Sequence, residues 1–136
     1  MQWIAEFVNV PVHENGLGSL AVIERSEFTP FDPVRAYFIY DVPAETSRGF
    51  HAHKNLQQLM IAVSGSLCVT IDDGKQRKDF LLDSPSKGLL LRPGAWREMH
   101  TFSSKSICLV VASEKFDEKD YIRNYSDFLT WKKSEC

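Results

Sequence analysis

Ten short runs of apolar or alternating residues, each closed by turn-forming residues, constrain this chain more than any other feature of it. They are Trp3–Val10, Ser19–Glu24, Arg35–Asp41, Gly49–His53, Gln57–Val63, Leu67–Ile71, Arg77–Leu82, Gly88–Leu91, Trp96–Phe102 and Ser106–Ala112. Asn15-Gly16, Ser64-Gly65, Asp72-Asp73-Gly74 and Pro93-Gly94 supply the breaks, and these residue types favour tight reversals of the backbone. Runs this short, at this spacing, predict an antiparallel sandwich or barrel. Only the tail reads as helical: from Asp117 onward, Tyr121, Ile122, Tyr125, Phe128, Leu129 and Trp131 recur every three to four residues among charged neighbours. At 136 residues the chain suits one domain over 1–136, all-β with a short C-terminal α-helix packed on the outside.

Bulk properties remove several classes of function. A net charge of -2 argues against a general nucleic-acid binder, although a local basic cluster could still hold a phosphate. No stretch approaches the roughly 20 apolar residues of a membrane span. Met1-Gln2-Trp3-Ile4-Ala5-Glu6 lacks the basic start and apolar run of a signal peptide, so a cytoplasmic protein is expected. Cys68, Cys108 and Cys136 are odd in number and widely spaced, without a CxxC pair. They read as reduced thiols, Cys68 and Cys108 as small core residues.

The chemistry is concentrated in Arg48-Gly49-Phe50-His51-Ala52-His53. On an extended strand alternate side chains share a face, so both imidazoles leave together while Phe50 and Ala52 point away. Glycine at 49 permits a bend or a close backbone approach just before the pair. A metal site would want a carboxylate nearby, but four and five residues beyond His53 stand Gln57 and Gln58. The later His100 follows Arg97, whose fixed positive charge is a poor neighbour for a cation. No metal is therefore expected. Acid–base work remains: imidazole titrates near 6.5, and two adjacent rings are seldom both protonated, which suits one base and one partner.

The string Arg48-Gly49-Phe50-His51-Ala52-His53-Lys54, with Asp83-Ser84-Pro85, Trp96-Arg97-Glu98-Met99, Phe102-Ser103 and Asp120-Tyr121-Ile122-Arg123, resembles the cupin-type, WxcM-like sugar 3,4-ketoisomerases. The resemblance runs from Gly18-Ser19-Leu20 to the tail. It implies a cupin jelly-roll, a homodimer, and isomerisation of dTDP-4-keto-6-deoxyglucose to a 3-keto product destined for amination to a 3-amino sugar of surface polysaccharide. No cofactor is implied, since moving a ketone from C4 to C3 leaves the net oxidation state unchanged. By the same resemblance His51 is the principal base, His53 its partner, and Arg35 and Tyr37 lie in the site. Some relatives carry histidine where this chain has Arg97. Arginine does not donate protons near neutrality, so the gluco-configured product is expected. Leu17 departs from the polar residue expected in relatives.

Other positions carry weaker signals. Arg48 offers paired donors to a diphosphate, or equally a salt bridge at a strand entrance. Arg123 resembles a nucleotide-contacting position. By parity from His51 and His53, Gln57 shares the histidine face and is expected to meet substrate. Trp96 reads as core, and His100 as a satisfied polar residue near its strand end. Two rival readings stay open: a non-catalytic cupin that binds a nucleotide sugar, and a nucleotide-sugar epimerase, which would want a different His–Asp arrangement and a longer chain. A metal-dependent dioxygenase would require stoichiometric iron or nickel.

Overall fold

The computed structural model describes residues 2–135; Cys136, expected to be a free thiol, lies outside the described residues. Twelve strands form, in order β1 Ala5–Asn9, β2 Val12–Glu14, β3 Ser19–Ala21, β4 Arg35–Tyr40, β5 Arg48–His53, β6 Gln58–Ser64, β7 Leu67–Asp72, β8 Arg77–Leu82, β9 Lys87–Leu91, β10 Trp96–His100, β11 Ile107–Ala112 and β12 Tyr121–Ile122, followed by the helix α1 Tyr125–Ser134. One sheet has the order β1-β9-β6-β11-β4 and the other β12-β5-β10-β7-β8, while β2 and β3 make a separate hairpin. All pairings are antiparallel.

Alternation along the strands builds the layers. Met60 and Ala62 of β6, Leu89 and Leu91 of β9, and Cys108 and Val110 of β11 face Leu67, Val69 and Ile71 of β7, Leu82 of β8 and Met99 of β10. This is the central core, filled by apolar side chains from both sheets. The opposite face of the first sheet buries Leu59, Ile61, Leu90 and Val111 under Val10 and Phe31. On the outer face of the second sheet, Ala52 and Trp96 pack against Ile122 and Phe128. Trp96 is thus core, as its sequence setting suggests.

Each of the ten expected runs overlaps a strand. The tail differs from expectation. Helix does not begin near Asp117: a single 3₁₀ turn occupies Glu118–Asp120, Tyr121–Ile122 pairs with Ala52 and His53 of β5, and α1 starts only after Asn124, whose side chain accepts from the Asp127 amide at 3.0 Å. Burial at β5 and a cap at Asn124 override the helical spacing upstream. Cys108 is buried, its thiol pushed up to about 12 by desolvation, but Cys68 is only half-buried and does not join the core as expected.

Candidate active site

The two sheets part at one end, where β4, β5 and β10 present polar side chains inward. Gly49 and Phe50 start the construction. Arg97 pairs with His51 while Glu98 pairs with Gly49, so Phe50 is an extra residue bulged out of β5. Both bulge residues have positive φ, 97° at Gly49 and 51° at Phe50. A Cβ on Gly49 would sit 3.2 Å from the Arg97 carbonyl oxygen, so the close approach requires glycine. Phe50 is consequently thrown outward and exposed, and His51 is set directly across from Arg97.

His51 and His53 leave the same face, with ring centroids 4.9 Å apart. Their surroundings differ. His51 lines a cavity of about 350 Å³ together with Arg35, Tyr37, Arg48, Arg97, Tyr121 and Arg123. His53 lies behind it, 1% exposed, against the Tyr121 ring at 4.3 Å. His51 Nδ1 is 3.0 Å from the Gly49 carbonyl, and His53 Nδ1 is 2.9 Å from Asp120 Oδ2. A carbonyl or carboxylate oxygen only accepts, so in the neutral rings Nδ1 carries hydrogen and Nε2 keeps its lone pair. Neither Nε2 has a partner among the described residues. Two unoccupied basic nitrogens are therefore held in one small space.

Electrostatics keep them uncharged. Desolvation first, and then Arg97, push His51 down to about 2. Burial, Arg97 and Arg35 push His53 the same way, with the Asp120 carboxylate on Nδ1 opposing them. Arg97 is itself 1% exposed and, among the described residues, has no carboxylate within ion-pair distance: Nε and Nη2 donate to the Ala95 carbonyl at 3.3 and 3.2 Å, and Nη1 donates to Gln58 Oε1. Burial lowers it to about 10, so it stays cationic near neutrality. Arg35 stacks over Tyr37 and Phe116, at 5.0 and 5.7 Å from their centroids, with its buried Nε unpartnered. Arg123 lies over Tyr121 at 4.2 Å and is held at the rim by Glu118, at 2.8 and 2.9 Å. Four guanidiniums line one cavity; among the described residues only Arg123 of them is ion-paired and no carboxylate is among its walls, so the well is positive in a chain of net charge -2.

Of the residues singled out from sequence, His51, Arg35, Tyr37, Arg48, Arg97 and Arg123 line this cavity, and His53 backs it. Gln57 does not belong there, which corrects the parity argument. The chain leaves β5 after His53, and the Gln57 amide donates to Ser113 Oγ while its carbonyl accepts from the Ser113 amide, before β6 opens in the other sheet. Alternation does not carry across a change of sheet. Gln58 is the glutamine that turns inward, fully buried between Arg97 and Tyr37. Asp120 and Tyr121 were also missed. Their spacing fits a helical stripe, and only the pairing of β12 with β5 delivers them to the histidines. His100 ends β10, bonded to Thr70 and Thr101 away from the cavity. Among the described residues, no group of three His, Cys, Asp or Glu is placed to hold a metal.

Comparison with known proteins agrees with this geometry. The sequence is 47% identical to the TDP-4-oxo-6-deoxy-alpha-D-glucose-3,4-oxoisomerase of Aneurinibacillus thermoaerophilus over 111 residues, 82% of this chain and 80% of that one. The crystal structure of QdtA, a sugar 3,4-ketoisomerase from Thermoanaerobacterium thermosaccharolyticum in complex with TDP, matches with a TM-score of 0.93 at 36% identity, covering 99% of this chain and 98% of that one. A mutant of QdtA has been crystallised in complex with TDP-4-keto-6-deoxyglucose. The WlaRB TDP-quinovose 3,4-ketoisomerase of Campylobacter jejuni matches with a TM-score of 0.88 at 39% identity, over 93% of this chain and 97% of that one. The fold is thus the cupin-type jelly-roll sandwich. A family model described as FdtA, WxcM-like, C-terminal matches residues 4–133, and the chain belongs to that family.

Proposed function

We propose that this chain is a dTDP-sugar 3,4-ketoisomerase, converting dTDP-4-keto-6-deoxyglucose to a dTDP-3-keto-6-deoxyhexose in the making of 3-amino-3,6-dideoxy sugars. One observation carries the reading: a neutral imidazole with a free Nε2 and four guanidiniums face the same cavity. The guanidiniums suit a diphosphate. Arg48 and Arg123 stand nearer the mouth. The imidazole suits an α-ketol. His51 Nε2 takes the proton from C3, whose acidity comes from the adjacent C4 ketone, and the electron pair forms an enediolate. Protonation at C4, with the O3 hydrogen ending on O4, completes the exchange. One hydrogen has moved from C3 to C4 and one from O3 to O4, with no net redox change.

His53 acts behind His51, its ring fixed by Asp120 on one edge and by Tyr121 on its flank. Position 97 decides the configuration at C4. With an arginine there, no proton reaches C4 from that side, and the product carries the gluco configuration. The enzyme works in the cytoplasm, in keeping with the free thiols of Cys68 and Cys108, as one domain over residues 1–136. It works as a homodimer, and the exposed apolar side chains Phe38 and Tyr40 on the edge strand β4 favour self-association.

Incubation with dTDP-4-keto-6-deoxyglucose in deuterium oxide, followed by NMR, tests the reaction. Ketone migration with deuterium at C4 supports it; binding without migration leaves a sugar-nucleotide binding module instead. An axial C4 hydroxyl in the product overturns the gluco assignment alone.

A further inference from the structure

Gln58 is a fully buried side chain that joins two cavity walls, Arg97 and Tyr37, and the sense of its hydrogen bonds is dictated by chemistry. A guanidinium only donates, so the face of the amide toward Arg97 Nη1 must be the oxygen Oε1. The amide nitrogen Nε2 then faces Tyr37 and donates to its hydroxyl oxygen at 3.0 Å. Tyr37 Oη, already accepting, has its own hydrogen left over. No acceptor for that hydrogen is present among the described residues, and Tyr37 is a wall of the cavity. The chain thus runs one way, from Arg97 through Gln58 to Tyr37, and ends on an O–H offered to whatever the cavity holds.

We infer that Gln58 is a positioning residue for the isomerisation: it locks Tyr37 as a hydrogen-bond donor to the substrate ketone oxygen O4. This rests on the ketoisomerase reading above. As His51 Nε2 removes the C3 proton, the C3–H electron pair becomes the C3=C4 bond, and the C4=O4 pair moves onto O4. Charge develops on O4, and a donor already aimed there stabilises it without reorganisation. Arg97 behind the amide strengthens the chain, since each bond polarises the next. The same positive charge opposes the upward push that burial exerts on the Tyr37 phenol. Without Gln58, the phenol oxygen loses the only donor that fixes the sense of its hydrogen among the described residues.

The near-isosteric Gln58→Glu change separates positioning from packing. A carboxylate still fills the space and accepts from Arg97, but it cannot donate to Tyr37, so the phenol hydrogen turns inward and the chain reverses. A purely structural role predicts full activity. Positioning predicts a kcat about 10²-fold lower, with KM changed far less. Tyr37→Phe should lose at least as much, and the double variant should fall no further than Tyr37→Phe alone. Wild-type kcat in Gln58→Glu, or independent losses that multiply in the double variant, would overturn the inference. If Gln58→Glu gives no cooperative melt, Tyr37→Phe decides: near-normal kcat there also sinks it. Absence of ketone migration in the unmodified enzyme would instead remove the ketoisomerase reading itself, so the two failures are told apart.

Discussion

His51 owes its chemistry to a ring that stays neutral. Burial and Arg97 hold it near 2, far under the ordinary imidazole range. Since kcat/KM reports ionisations of the free enzyme, its pH profile should show no acid limb at 6.5 and stay flat on down to at least about pH 5. A limb at 6.5 would mean that the base is more solvated than the cavity suggests. His51→Asn should lower kcat by about 10²–10⁴-fold and keep most of the affinity, checked by calorimetric titration with TDP. At this scale the sequence was informative where chemistry is local: two histidines one residue apart share a face on any strand. It was silent on Gln58 and Asp120, whose partners lie 39 and 67 residues away. Residue type and spacing do not encode such distant pairings.

Strand positions were legible because alternation and turn residues act over a few neighbours. β2 and β12 were not: the three exposed residues of one and the two residues of the other show no period of their own. β12 in particular exists because β5 offers it an unpaired edge, a tertiary cause invisible along the chain. The bulge in β5 is the element-level device that matters most. Gly49→Ala should cost roughly 1–3 kcal/mol, from left-handed strain and the approach to the Arg97 carbonyl. It should also displace His51, so activity ought to fall further than the loss of folded protein explains; urea melts beside kcat measure both. Phe128 anchors α1 with no exposed surface. Phe128→Ala is expected to destabilise by about 3–5 kcal/mol. Because Phe128 packs with Ile122 of β12, hydrogen exchange in the β12 segment should rise with it.

For the whole molecule, the buried histidine links stability to pH. Below 6.5 the unfolded chain takes a proton on His51 that the folded chain refuses until about 2. The unfolded state then binds more protons, so the contribution is complete above 6.5 and is lost progressively as pH falls from there toward 2. The melting temperature should therefore drop on acidification from pH 7.5 to 5.5, and His51→Gln, which cannot titrate, should show a smaller drop. An equal drop in both proteins would place the sensitivity elsewhere. The order of the chain has a consequence of its own. Tyr121 and Asp120 arrive after every strand of the two sheets except β12 itself has been synthesised, yet they hold the rings of β5. A ribosome that stalls before Asp117 leaves a product whose second sheet lacks β12 and whose imidazoles are unbraced. Turnover is thereby restricted to molecules translated past β12.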